Sequence, residues 1–153
     1  MAKEIERKYL VKGDAWRALA PGVRYRQGYL STVKDRTVRV RTVDDRGSLT
    51  LKGITVGATR LEFEYDVPPA DAAALLELCE QPLVEKVRYR IPFGGLVWEV
   101  DEFEGANRGL VVAECELKSE DQRIELPDWI GAEVTGDPRY FNSNLIAHPF
   151  TAW

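Results

Sequence analysis

Apolar and polar residues alternate along most of the chain with a period of two. That period turns successive side chains to opposite faces of an extended strand. It predicts strands near 3–11, 24–31, 36–43, 48–53, 60–67, 85–92, 96–103 and 110–118. "DDRG" (44–47) and "PFGG" (92–95) supply turn residues between consecutive strands, the second as a hairpin. The period breaks at "ADAAALLELCEQ" (70–81), which is rich in Ala and Leu and has Pro68 and Pro69 at its entrance, so a helix is predicted there. Nearer the C-terminus, "SEDQ" (119–122) has a capping-box pattern. "GDPRYFNSNLIA" (136–147) predicts a second helix, with Asp137 as cap and Pro138 in its first position.

Sorting each strand by face changes the picture. Glu4, Glu6 and Lys8 share one face of the first strand, opposite Ile5 and Tyr9. Arg39 and Arg41 oppose Val38 and Val40, and Thr50 and Lys52 oppose Leu49 and Leu51. Glu62 and Glu64 oppose Leu61, Phe63 and Tyr65, while Lys86 and Arg88 oppose Val87 and Tyr89. Glu99 and Asp101 oppose Trp98 and Val100, and Glu114 and Glu116 oppose Ala113 and Cys115. A flat antiparallel sheet with one wet face would account for any single strand. It does not account for strands that are each nearly pure in sign, or for apolar faces with more aromatic surface than one helix covers. A sheet of roughly eight strands curled into a barrel resolves both, with charges lining a lumen and apolar faces under helices and loops. So many charges are untenable in a dry interior, so the lumen is wet and binds something ionic. Carboxylates facing Lys and Arg suit a polyphosphate accompanied by divalent cations.

Composition narrows the reading further. The 153 residues suit one domain, 1–153, of α+β class, and 44% hydrophobic with 30% charged residues is globular composition. A net charge of -4 gives no overall positive field for nucleic acid or an anionic membrane. No apolar run reaches the length of a membrane span, and the start lacks a signal-peptide core, so a cytoplasmic protein is expected. Cys79 and Cys115 stand at apolar positions without ligand spacing and read as buried free thiols. His148 reads as structural or surface, and Trp16, Trp98, Trp129 and Trp153 as outer packing rather than a base-stacking platform. No GxxxxGK[ST] loop occurs, so phosphate binding here does not use a helix N-terminus.

"EIERKYLV" resembles the ExExK signature of the CYTH superfamily, the triphosphate tunnel metalloenzymes. The likeness continues in order through "RQGYLS", "VRVR", "LTLKG", "RLEFEY", "EKVRYR", "WEVDEFEG", "VVAECEL" and "EVTGDPRYFN", nearly the whole chain. The resemblance implies an antiparallel tunnel barrel acting on triphosphates with Mg²⁺ or Mn²⁺. It implies metal-holding roles for Glu4, Glu6, Glu62, Glu64, Glu114 and Glu116. It implies phosphate-holding roles for Lys8, Arg39, Arg41, Lys52, Lys86 and Arg88. Catalysis would centre on Glu4, Glu6, Glu116 and Lys86, the lysine serving as phosphate anchor or as proton donor and acceptor. Inorganic tripolyphosphate is the leading substrate. Class IV adenylate cyclase, thiamine triphosphatase and a non-catalytic polyphosphate-binding module are the alternatives, and a homodimer is a further expectation. The roles of Tyr29 and Arg139 stay open.

Overall fold

The computed structural model describes residues 3–153. Its strands are β1 (Lys3–Val11), β2 (Gly22–Ser31), β3 (Arg36–Val43), β4 (Arg46–Gly53), β5 (Thr59–Val67), β6 (Val84–Phe93), β7 (Leu96–Phe103), β8 (Val111–Glu116) and β9 (Ile130–Glu133). One α-helix, α1 (Pro69–Leu78), joins β5 to β6. The strands pair antiparallel in the order β5-β4-β3-β2-β6-β7-β8-β1. β1 then returns to β5 through Lys3↔Leu61, Glu4↔Arg60 and Ile5↔Thr59, which closes eight strands into a barrel. Further along, β1 instead pairs with β9, at Tyr9↔Glu133 and Val11↔Ile130.

Every predicted strand is present. The β6–β7 hairpin turns on Gly94 and Gly95, whose φ of 61° and 79° favour glycine in a two-residue turn. α1 begins with Pro69 at its first position and lays Ala72 and Leu76 on Val40, Leu49 and Val67 of the barrel wall. Gly47 makes that approach possible, since a Cβ there would stand 2.5 Å from the Cβ of Ala72.

Two predicted helical signals are not α-helix. "SEDQ" is a turn, in which the Ser119 hydroxyl donates to Asp121 and Gln122 Oε1 accepts the Lys118 N–H. In "GDPRYFNSNLIA", Asp137 does cap and Pro138 does lead, but only for one 3-10 turn, Pro138–Tyr140. Phe141 is extended (φ -69°, ψ 128°) and separates it from a second short turn, Asn142–Asn144. Packing wins over helix propensity here. The break lets Tyr140, Leu145 and Ile146 enter a core with Tyr29, Val84, Phe103 and Val112. Val84, Phe103 and Val112 continue the inward-facing series of β6, β7 and β8, so one end of the barrel is apolar inside and stopped by the C-terminal segment. The lumen is therefore charged over only part of its length.

Outside, Trp16, Trp98, Trp129 and Ile130 form a second core, with Trp98 and Trp129 edge to face at 6.2 Å. The expected cover is incomplete: Leu51, Leu61, Phe63 and Tyr65 on the outer face of β4 and β5 are exposed. Cys79 and Cys115 are buried and free. Among the described residues no helix is long and apolar enough to cross a membrane.

Candidate active site

Strand register brings the charged faces together. Antiparallel partners share a face, and Glu6 stands opposite Glu116, Lys8 opposite Glu114, Lys52 opposite Glu62, and Arg88 opposite Asp101. Except for the fully buried Asp101, these side chains line one continuous cavity. Its acid-rich mouth, bounded by Glu62, Glu64, Glu99 and Glu116, encloses about 340 Å³. The inner reach narrows to about 70 Å³ between Lys8, Lys86 and Thr135–Ser143. Glu4, Glu6, Arg39, Arg41, Lys52, Arg88 and Glu114 border both parts. Every site residue predicted from sequence lies on this cavity.

The empty cavity is a lattice of opposite charges. Lys52 Nζ lies 3.1 Å from Glu4 Oε2 and 3.8 Å from Glu62, and Lys8 Nζ lies 3.4 Å from Glu114. Arg39 reaches Glu64 at 3.4 Å and Thr50 at 3.1 Å. Lys86 Nζ sits 2.8 Å from Asp101, whose two oxygens also accept from Arg88 at 2.7 and 2.9 Å. Arg41 has no ion pair among the described residues; it donates to Gln27 Oε1 and packs over the ring of Tyr25.

The carboxyls are crowded enough to compete for protons. Glu4, Glu6, Glu62 and Glu114 stand close enough that each perturbs its neighbours' titration. Burial, with the charges of Glu114 and Glu4 beside it, raises the Glu6 pKa well above the usual carboxylate range. Burial and the neighbouring Glu4 push Glu62 up to about 7, and burial with Glu4 and Glu99 nearby raises Glu116. Burial would raise Glu4 as well, but the Glu62 carboxyl and Lys52 outweigh it and hold Glu4 low. At Glu114, likewise, burial is outweighed by Lys8 and Arg88. Burial drags Lys86 down to about 7 despite Asp101, with Arg88 and Arg41 adding repulsion. Asp101 stays ionised, near 2, because Arg88 and Lys86 overcome its burial.

A stability prediction follows from these shifts. A carboxyl whose folded pKa is raised contributes stability that is complete below its unfolded value and lost as pH rises through the folded value. For Glu62 that window runs from 4.5 to about 7, with Glu6 and Glu116 acting in the same direction. Metal-free protein in chelator should therefore melt higher at pH 5.5 than at pH 7.5. Glu62→Gln should flatten that slope, which a general approach to the isoelectric point would not do. A melting temperature that falls steadily from pH 7.5 to 5.5 would contradict the crowding.

The donor set fits a hard divalent cation. It is all carboxylate oxygen, and Glu4 Oε2 is buried with only the Lys52 and Arg60 cations beside it. Among the described residues no three acids already surround one point as a finished cage. Sequence reasoning missed several residues that line the cavity or stand behind its wall. Arg60, 3.5 Å from Glu4, and Asp101 were legible on charged faces; Gln27 and Asn142, being neutral, carried no signal. Tyr29 is buried, accepts from Gln27 and also touches the cavity. His148 and Arg139 are exposed, and Arg139 pairs with Asp137 and lies over Tyr140 and Trp153.

Comparison with known proteins agrees with this geometry. An inorganic triphosphatase of Acetivibrio thermocellus is 56% identical over 151 residues, covering 98% of this chain and 97% of that protein. An inorganic triphosphatase of Nitrosomonas europaea is 39% identical over 147 residues, 93% of this chain and 95% of that one. The crystal structure of an inorganic triphosphatase superposes with a TM-score of 0.68 at 34% identity, covering 95% of each chain. The CYTH domain model matches residues 2–148, and the chain belongs to the CYTH domain family.

Proposed function

We propose that this protein hydrolyses a triphosphate, inorganic tripolyphosphate above others, using Mg²⁺ or Mn²⁺. The observation that carries the proposal is the cavity in which carboxylates and Lys/Arg side chains face and neutralise one another. A cation plus a polyphosphate replaces those internal pairs like for like. The carboxylates now paired with Lys8 and Lys52 would hold the metal, and the two ammonium groups would hold phosphate oxygens. Glu4, Glu6, Glu62, Glu114 and Glu116 would hold the cation, with Glu64 joining if it leaves Arg39. Bound there, it supplies charge neutralisation and a more acidic water.

Lys8, Arg39, Arg41, Lys52, Lys86 and Arg88 hold the chain of phosphates in line, which is most of what phosphoryl transfer asks of a protein. Lys86 acts first as an anchor, because it is wedged between Asp101 and Asn142. Its pKa of about 7 also lets it pass a proton. Glu116, like Glu64 an exposed acid at the mouth, would accept the proton of an attacking water.

Cyclisation of ATP would also need the nucleoside gripped so that its 3′-oxygen meets the α-phosphorus in line. The basic wall offers ionic contacts, while Phe63, Tyr65 and Trp98 face outward. Incubation with tripolyphosphate, ATP and thiamine triphosphate under each metal, with orthophosphate, pyrophosphate and cyclic AMP quantified, tests the assignment. Orthophosphate from tripolyphosphate should dominate. Faster formation of cyclic AMP would replace the assignment, and no turnover with any substrate would favour a binding module.

Two finer points belong to the same reading. Buried free thiols suit a reducing cytoplasm. A homodimer through Leu51, Leu61, Phe63 and Tyr65 brings together two uncharged faces without like-charge repulsion. Sedimentation should give a dimer that Phe63→Glu makes monomeric with activity kept; a monomeric parent protein would overturn it.

A further inference from the structure

Most of the cavity's cations meet carboxylates, but Arg41 is held by a neutral amide in place of one, and Lys86 by an amide in addition to Asp101. Arg41 directs Nε and Nη2 at Gln27 Oε1, at 3.0 and 2.8 Å. The other end of that fully buried amide, Nε2, donates to Tyr29 Oη at 3.0 Å and to Asn142 Oδ1 at 3.2 Å. Asn142 Oδ1 also accepts from Lys86 Nζ at 2.8 Å. Each amide is thus committed to one orientation: two donors converge on the Gln27 oxygen, and two on the Asn142 oxygen. The chain Arg41–Gln27–Asn142–Lys86 joins β3 to β6 through the C-terminal segment. On β1, Lys8 Nζ donates to the carbonyl of Tyr140, two residues before Asn142.

A carboxylate in place of either amide would position these cations equally well, and would also consume their charge. An amide oxygen satisfies the donors without adding negative charge, so Arg41 keeps its full charge for an incoming anion and Lys86 is offset by Asp101 alone. Burial with Arg39 and Arg88 nearby already lowers Arg41 to about 9, which marks it as a cation short of negative neighbours. We propose that Gln27 and Asn142 are positioning residues that aim Arg41 and Lys86 at the substrate's phosphates through uncharged acceptors. This makes the C-terminal segment part of the active site. The inference rests on the triphosphatase reading for the identity of the anion.

The test measures tripolyphosphate hydrolysis and calorimetric tripolyphosphate binding on the whole protein, with a melting curve for each variant. Gln27→Glu keeps an acceptor for Arg41 and adds a charge. Its KM should rise at least tenfold while its melting temperature holds, with kcat changing far less. Asn142→Leu keeps volume and removes the shared acceptor, and should also raise KM about tenfold. If Asn142 acts through Lys86, the double variant Lys86→Met with Asn142→Leu should be no worse than Lys86→Met alone. A KM unchanged in Gln27→Glu, or additive losses in the double variant, would reduce the network to scaffolding and overturn the proposal. Failure of the unaltered protein to turn over tripolyphosphate would instead strike the triphosphatase reading. Binding affinities across the same variants would still decide the positioning role.

Discussion

Glu6→Gln and Glu116→Gln are each expected to lower turnover at least a hundredfold at saturating metal. The two residues face each other across β1 and β8, and Glu6 also stands beside the carboxyls of Glu4 and Glu114. An amide keeps the shape of the carboxyl and removes its charge. Charge placed where a highly anionic reaction develops contributes on the order of 10²–10³ in rate per group removed. The same change should act oppositely on the empty protein. Glu6 is penalised by burial and by two neighbouring carboxyls, so neutralising it relieves repulsion. Glu6→Gln should therefore melt at or above the parent temperature in chelator, and gain less when Mg²⁺ or Mn²⁺ is added. Loss of rate without loss of fold is the signature of a metal-site acid. Near-normal turnover in both variants would remove these acids from the reaction.

Sequence carried the barrel unusually well because its two faces obey different chemistry. Alternation alone marks strands. The purity of sign on each polar face, as with Arg39 and Arg41 on β3 against Glu62 and Glu64 on β5, distinguishes a lumen from a wet surface. What escaped was whatever lacks charge or period. β9 has only four residues, Ile130–Glu133, too few to show alternation. The segment after Asp137 has helix signals that a tertiary demand overrides, since Phe141 must extend for Leu145 to be buried and Asn142 to meet Lys86. Inward-facing Val84, Phe103 and Val112 look like any apolar strand residues, and only register reveals that they stop one end of the barrel. Asp101 is the instructive case: its face was legible, but its role as a shared anchor was not.

Asp101→Ala is expected to cause the largest loss of stability of any single change in the cavity. Asp101 is fully buried and is the common partner of Lys86 and Arg88, at 2.8 and 2.7 Å. Removing one member of a buried pair costs about 3–5 kcal/mol, because the remaining charge keeps its desolvation penalty without compensation. Here two cations lose their shared buried acid, which leaves Arg88 only the partly exposed Glu99 at 3.3 Å and Lys86 only the neutral Asn142. Lys86, already near 7, can shed its proton, while Arg88 cannot. The expected loss corresponds to roughly a 10 °C fall in melting temperature for a domain of this size. Acid should mimic the variant. The depressed pKa of Asp101 means its contribution is present above 3.8 and lost as pH falls toward 2. Below that range parent and variant should converge. Tripolyphosphate restores negative charge beside Arg88 and Lys86, so it should recover a larger share of melting temperature in Asp101→Ala than in the parent protein. Urea titration at pH 7, with and without tripolyphosphate, measures both effects. A loss below about 1 kcal/mol, the scale of a surface ion pair, would mean that Arg88 and Lys86 find other acids and that Asp101 is not their anchor.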